Sequence, residues 1–147
     1  MPFRQVDISG KPIVLREATA TGRIKLKKET VKLAKKGGLE KGDAVGIATL
    51  MAVLGAKKTP ELVALTHHLR VERIEPKVKL LDRAIEVTVT VKAHEKTGVE
   101  MEALTAVTVA LLNVWDVVKQ YEKDSSGQYP TTAIESIRVV KKVKGRA

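Results

Sequence analysis

The clearest alternation of apolar and polar residues in the chain runs from Ile85 to Val91, with Ile or Val at every second position and Glu or Thr between. Because side chains of a strand point alternately to opposite faces, this spacing predicts a strand with one buried and one solvated face. Less regular apolar runs predict three more strands, at 14–26, 69–80 and 134–143. We expect Gly22 to interrupt the first of these, and Pro76 with Asp82 to mark the end of the second.

Helical patterns fill the segments between these strands, at 30–36, at 44–56 and from Gly98 to about Lys123. Gly37-Gly38 follows the first, and glycine suits the left-handed conformation that closes a helix. Asp43 is placed to cap the second helix, which is apolar on all sides and is therefore predicted to be buried. Pro60 should end or restart that helix.

The resulting order is strand, helix, strand, strand, helix, strand, which is the split β-α-β pattern of ferredoxin-like folds. We therefore predict an α+β protein, a single domain over residues 1–147, whose antiparallel sheet carries helices on one face. Residues 1–10 form a predicted N-terminal arm, and residues 143–147 a basic C-terminal tail. If the other sheet face were apolar it would need a partner, which would favour an oligomer.

The composition narrows the function classes. Apolar residues make up 44% of the chain, enough for a core, and the absence of cysteine excludes disulfides, cysteine-ligated zinc and thiolate chemistry. No apolar run has the length of a signal peptide or a membrane span, so we expect a cytoplasmic protein without membrane contact.

The formal net charge of +10 favours an anionic partner, which could be nucleic acid, an acidic surface or a phosphorylated metabolite. Ferredoxin-like domains that bind RNA place exposed aromatic residues on the sheet. The alternating strand at 85–91 has none, so a nucleic-acid-binding module is the less favoured alternative.

Charged residues in the long helix are candidates for chemistry. Glu100 and Glu102 lie in its first turn, where the helix dipole favours carboxylates whatever their function. Asp116 and Lys119 share a face in an apolar neighbourhood, which suits either a surface ion pair or a proton-transfer pair. Glu102 and Asp116 are about 21 Å apart at 1.5 Å per residue. A site that used both would need a long ligand or a second subunit.

The remaining candidates are weak when taken singly. Lys57-Lys58 could bind phosphate or complement a helix end, and the glycine of Lys41-Gly42-Asp43 would let a ligand approach the backbone. Three histidines without cysteine or a His-Glu-x-x-His motif predict no metal site, although an acid–base role for a histidine stays open.

Several segments are more informative as a set than singly. The longest is Thr97–Ala106, TGVEMEALTA. It is accompanied by Val6–Ser9, Arg16–Ala18, Lys41–Asp43, Ala56–Thr59, Leu65–Leu69 and the pair Asp116 and Lys119. In this order and spacing, over roughly residues 5 to 142, they resemble the MoaC family, the cyclic pyranopterin monophosphate synthases of molybdenum-cofactor assembly.

The resemblance implies a ferredoxin-like lyase that assembles as a hexamer, a trimer of dimers with active sites at the dimer interfaces. The implied substrate is the GTP-derived (8S)-3′,8-cyclo-7,8-dihydroguanosine 5′-triphosphate, and the products are cyclic pyranopterin monophosphate and diphosphate. No metal, organic cofactor or nucleic acid is implied.

Residue by residue, the resemblance implies that Asp116 is the catalytic carboxylate, Lys41 a general acid or base and Lys119 its partner. The residues implied to line the substrate site are Leu65, Thr66, His67, Glu100, Met101 and Glu102. Those implied to hold the triphosphate, which needs a cluster of cations, are Arg16, Lys57 and Lys142.

The chain departs from the family pattern at three places. Thr66-His67-His68 stands where the family commonly has Cys-His-Pro, and Trp115 where it usually has Tyr. The segment 142–146 has a single glycine, Gly145, where the family often has the glycine pair of Lys-Ser-Gly-Gly-Lys. An inactive family member kept as an assembly partner is therefore an alternative. The retained Lys41 and Asp116 argue against it.

Overall fold

A computed structural model describes residues 2–146, which form four strands and four helices. They are β1 (Val14–Lys25), α1 (Lys28–Lys35), α2 (Ala44–Lys57), α3 (Thr59–Leu62), β2 (Arg73–Leu80), β3 (Ala84–Glu95), α4 (Glu100–Glu122) and β4 (Ala133–Lys144). The strands form one antiparallel sheet in the order β2-β3-β1-β4. The predicted α+β, ferredoxin-like fold is confirmed.

One face of this sheet is covered by α2 and α4 and forms the core. The predicted alternation holds in β3, where Ile85, Val87, Val89 and Val91 are all fully buried. Gly55 lets α2 and α4 pack closely, since a Cβ there would lie 3.1 Å from Val109 Cβ. By length and composition α4 could cross a bilayer, but most of its apolar side chains are buried in the fold as in a core helix.

The other face of the sheet is polar, so it does not supply the apolar surface that would call for a partner. Hydroxyl groups meet across the strands there, with Thr19 and Thr90 2.8 Å apart and Thr21 and Thr88 2.9 Å apart. Helices α2 and α4, in contrast, carry exposed apolar side chains. Leu50 of α2 is 62% exposed and Leu112 of α4 is 61% exposed.

The prediction that the second helix is buried therefore holds for only one of its sides. Alanines at every fourth position of α2, such as Ala48 and Ala52, are fully buried against the core. The opposite side carries Leu50 and the partly exposed Leu54. Periodicity could not separate these sides, because both are apolar.

Two predicted strand breaks are wrong. Gly22 lies within a continuous β1, where a Cβ would come within 2.9 Å of side-chain atoms of Val107 and Ile137. Pro76 lies inside β2, which tolerates it as an edge strand, and β2 begins at Arg73 rather than at 69.

The predicted helix ends are confirmed. Gly37 has a φ of 71° after α1, Asp43 accepts a hydrogen bond from the Val45 amide, and Pro60 lies in the first turn of α3. At the carboxyl end β4 continues to Lys144, into the predicted basic tail. Met1 and Ala147 lie outside the described residues.

Candidate active site

The predicted site residues divide between the two ends of α4. Asp116 and Lys119 lie near its carboxyl end, together with Lys41 from the loop before α2. Glu100 and Glu102 lie at its amino end beside a cavity. Fourteen helical positions separate Glu102 from Asp116, which is about 21 Å. One chain therefore presents two separate groups of predicted site residues, which we call the two half-sites.

The lysine–aspartate cluster consists of Lys41, Asp116 and Lys119. The Lys41 ammonium lies 3.1 Å from both carboxylate oxygens of Asp116, and the Lys119 ammonium lies 3.1 Å from Oδ1. Hydrogen bonds from Lys41 and then Lys119 lower the pKa of Asp116. The aspartate is thus held ionised between two proton donors, with 56% of its side chain exposed to solvent or to a ligand.

The loop that carries Lys41 is fixed to the last turns of α4. The Glu40 amide donates a 2.8 Å hydrogen bond to the Tyr121 hydroxyl, and the Gln120 side-chain amide donates a 3.0 Å bond to the Glu40 carboxylate. No motif in the sequence indicates Tyr121 or Gln120. Their role becomes visible only when the fold brings together residues that are 80 or more positions apart.

The cavity at the amino end of α4 has a volume of about 380 Å³, within the usual range for a small-molecule site. It brings together all six residues predicted to line the substrate: Leu65, Thr66, His67, Glu100, Met101 and Glu102. The rest of its wall comprises Arg4, Val6, Ile8, Lys11, Leu69, Thr97 and Gly98. We call it the main cavity.

His67 is held by the N-terminal arm. Its Nε2 lies 2.7 Å from the carbonyl oxygen of Val6, and the Gln5 side chain donates a 2.7 Å bond to the Thr66 carbonyl. A carbonyl oxygen only accepts, so Nε2 of His67 carries a hydrogen. In the neutral imidazole Nδ1 is then the acceptor that is left for other groups.

Glu102 is the buried carboxyl group of the site, only 3% exposed. Burial, with a smaller contribution from the charge of Glu100, raises its pKa from 4.5 to about 7. It also lines a second cavity of about 280 Å³ with Lys57 and His68. A carboxyl group that titrates near neutral pH can give or take a proton in catalysis.

The three cations predicted to hold the triphosphate do not line the main cavity. Arg16 is 7% exposed and donates to the carbonyl oxygens of Glu95 and Lys96 at 3.3 and 3.2 Å, which fixes the segment before α4. The Lys142 ammonium lies 3.2 Å from Glu100 Oε2, and Lys57 lies in the second cavity.

The cations that do line the main cavity are Arg4 and Lys11, which the family resemblance did not indicate. They flank the motif Val6–Ser9, and that position is the only indication the sequence offered. Within residues 2–146, no three His, Asp or Glu side chains lie close enough to hold a metal ion. That the chemistry needs no metal or organic cofactor stays a prediction.

Comparison with known proteins identifies the family. Residues 5–145 match the model of the MoaC family. A protein of Sulfurisphaera tokodaii is 55% identical over 139 residues, which cover 95% of this chain and 92% of that protein. A relative in Sulfolobus acidocaldarius is 52% identical, covering 95% and 97% of the two chains. One in Pyrococcus horikoshii is also 52% identical, covering 96% and 89%.

All three relatives are named probable cyclic pyranopterin monophosphate synthases. The match extends from the arm to the last strand and so includes both half-sites. The chain belongs to the MoaC family.

Proposed function

We propose that this protein is a cyclic pyranopterin monophosphate synthase, a lyase of molybdenum-cofactor biosynthesis. Its substrate is (8S)-3′,8-cyclo-7,8-dihydroguanosine 5′-triphosphate, and its products are cyclic pyranopterin monophosphate and diphosphate. The observation that carries the proposal is about 50% identity to synthases of that name over nearly the whole chain. The proposed location is the cytoplasm.

The chemistry requires charge stabilisation and several proton transfers. A substrate oxygen attacks the α-phosphorus, its proton leaves, and the bond from that phosphorus to the bridging oxygen of the departing diphosphate breaks. Opening the purine-derived ring and closing the pterin move further protons. Lys41 and Lys119 are placed to donate protons or to stabilise developing negative charge, and Asp116 is placed to orient both ammonium groups.

The main cavity is the proposed binding site for the purine-derived part of the substrate. His67 and Glu102 would supply acid–base groups there, and Leu65 and Met101 apolar contacts. Arg16, Lys57 and Lys142 surround this end of α4. Of these, Lys142 would have to leave Glu100 in order to bind phosphate.

We propose that a second copy of the chain completes each active site. A separation of about 21 Å along α4 is too long for one small pocket. An antiparallel partner would bring its lysine–aspartate cluster to the main cavity, and the exposed leucines of α2 and α4 offer apolar surface for the contact. The proposed assembly is a hexamer, a trimer of dimers; six chains of 16.0 kDa give about 96 kDa, which light scattering would measure.

The decisive experiment supplies the purified protein with the cyclised triphosphate and measures diphosphate and pterin product together. We expect both products from the wild type, and a rate about 10³-fold lower from Asp116→Ala. Asp82→Ala, which removes another exposed aspartate, is the matched control and should keep full activity.

Absence of both products from a folded wild-type oligomer would contradict the proposal. It would favour the inactive family member, with Thr66, His68 or the altered tail as the cause. Full activity of Asp116→Ala would be compatible with the proposed lyase activity but would contradict the proposal that Asp116 is its catalytic carboxylate.

A further inference from the structure

The motif Val6–Ser9 has no role in the function proposed so far, although it lies against the main cavity. We propose that the N-terminal arm and Lys11, which follows it, are part of the substrate site. Arg4 and Lys11 bind the triphosphate, and the Val6 carbonyl positions His67. This inference rests on the proposed function, since it names what the same site uses to hold its substrate.

The arm is fixed in place by contacts with two segments beside the cavity, residues 66–67 and Lys96. Gln5 bonds to the Thr66 carbonyl, the Val6 carbonyl meets His67, and Lys96 donates a 3.3 Å bond to the Ser9 carbonyl. The arm also has internal order, because the Ser9 amide donates to Asp7 Oδ1 and the Lys11 amide to the Ile8 carbonyl. These contacts hold Arg4 and Lys11 at the cavity.

The charges of the cavity support an anionic ligand. Arg4 and Lys11 are both exposed, and neither forms a salt bridge within residues 2–146. Two unpaired cations beside a pocket suit an oligophosphate, whose oxygens accept charge-assisted hydrogen bonds. The carboxylate of Glu100 is within 3.2 Å of Lys142, which reduces the repulsion an anion would meet.

Glu100 adds a second indication that a ligand belongs here. Its Oε2 is buried and receives no hydrogen bond from the described residues, because the Lys142 ammonium lies within ion-pair distance but outside hydrogen-bond geometry. Buried polar atoms are normally hydrogen-bonded. A substrate donor beside the arm would satisfy this oxygen.

The position of His67 follows from the arm as well. His67 Nε2 donates a hydrogen bond to the Val6 carbonyl oxygen, which holds the ring in one orientation. Nδ1 is then the nitrogen left to accept a proton. Val6 acts here through its backbone, so its carbonyl is a positioning group rather than a catalytic one.

The charge part is tested with the double variant Arg4→Gln/Lys11→Gln. Lys77→Gln/Lys79→Gln, on the exposed side of the edge strand β2, is the matched control and removes the same net charge. We expect the arm variant to bind inorganic tripolyphosphate at least about tenfold more weakly by calorimetry, and to raise KM for the substrate by a similar factor with a much smaller change in kcat. The control should match the wild type.

Unchanged tripolyphosphate binding and unchanged KM in the arm variant would overturn the proposal while leaving the lyase intact. If the wild type binds tripolyphosphate through Arg4 and Lys11 but makes no product, the anion site stands and the proposed function fails. An equal loss in both double variants would show an effect of net charge alone and would also overturn the proposal.

The positioning part is tested on the full chain with ¹⁵N-labelled histidine. We expect His67, assigned by the signals lost in His67→Gln, to carry its hydrogen on Nε2 at neutral pH. A hydrogen on Nδ1 of the neutral ring would overturn the role of the Val6 carbonyl.

Discussion

At the scale of single residues, Glu102 shows how burial prepares a group for chemistry. Removing the carboxyl group from water raises its pKa to about 7, whereas Asp116, exposed and held by two lysines, has a lowered pKa. The two acids of the site therefore differ in charge at slightly acidic pH, one protonated and one ionised. In the proposed shared site, which would contain both groups, such a difference would allow protons to be both donated and accepted.

Glu102 should make the stability of the protein depend on pH. Because its folded pKa is raised, the protonated group contributes stability that is complete below about pH 4.5 and is lost as the pH rises through 7. The change from 4.5 to about 7 corresponds to about 3 kcal/mol. We expect Glu102→Gln, which cannot ionise, to lose less free energy of unfolding than the wild type between pH 5 and 8.

Urea denaturation at several pH values would measure this difference. Glu29→Gln, which removes an exposed carboxylate, serves as the control and should follow the wild type. Parallel curves for the wild type and Glu102→Gln would contradict a raised pKa at this position.

Tyr121 is expected to position Lys41 through the loop before α2. Tyr121→Phe removes only the hydroxyl that accepts from the Glu40 amide, a bond worth about 1 kcal/mol. We expect kcat to fall about fivefold, with KM changed much less. Hydrogen exchange should become faster at the Glu40 amide and not elsewhere. A general loss of stability would instead speed exchange throughout the protein.

Tyr129→Phe provides the matched comparison, because Tyr129 packs edge-to-face on Trp115 at 5.2 Å through its ring. It should keep both the rate and the protection of Glu40. An unchanged rate in Tyr121→Phe would mean that Asp116 and the Gln120–Glu40 bond hold Lys41 without the Tyr121 hydroxyl.

The sequence could indicate only part of these residue contacts. Asp116 and Lys119 are three positions apart in a helix, so their contact followed from helical geometry. Lys41 reaches Asp116 across 75 positions, and spacing carries no information about such a pair. The family resemblance supplied Lys41 but not Tyr121, Arg4 or Lys11.

At the scale of elements, Glu122 joins three pieces of the fold at the carboxyl end of α4. Its fully buried carboxylate accepts from the Lys27 amide before α1 and from the hydroxyls of Thr30 and Thr132. These contacts hold α1 and the start of β4 against the core helix.

Glu122→Ala should destabilise the protein by about 3 kcal/mol, because it leaves two buried hydroxyls and a backbone amide without an acceptor. Urea denaturation would measure the loss. Lys123→Ala, at the adjacent exposed position, should change stability by less than about 0.5 kcal/mol. Equal stability of the two variants would show that water replaces the carboxylate.

The elements also show why the local sequence pattern predicted the strands more accurately than the positions where strands are interrupted. β3 is buried on one face only, so its alternation was unambiguous. Gly22 and Pro76 usually interrupt strands, but here the first makes room for Val107 and the second lies on an edge. Both outcomes depend on neighbours in space, which local propensity does not include.

At the scale of the whole molecule, the distance between the half-sites follows from one property of the sequence, the length of α4. That length already predicted that the two groups of charged residues lie too far apart for one pocket. The sequence did not predict which surface is left exposed. The sheet face that could have needed a partner is polar, whereas α2 and α4 carry exposed leucines.

A site shared between two copies makes a specific prediction for mixed oligomers. Asp116→Ala damages the carboxyl end of α4, and His67→Ala damages the main cavity. In a hybrid dimer one shared site receives both lesions and the other receives neither. Each variant alone should be nearly inactive. When the two are unfolded and refolded together in equal amounts, half of the dimers are hybrids, and each hybrid has one intact site out of two. The mixture should therefore regain about a quarter of the wild-type activity.

The matched mixture combines Asp116→Ala with Lys41→Ala, whose lesions lie in the same lysine–aspartate cluster. Every shared site in that hybrid contains one damaged cluster, so no activity should return. Recovery only in the first mixture requires that each active site take its cluster from one chain and its cavity from the other. If neither mixture regains activity although mass spectrometry detects hybrids, each chain must hold a complete site, and the substrate itself would have to reach along α4.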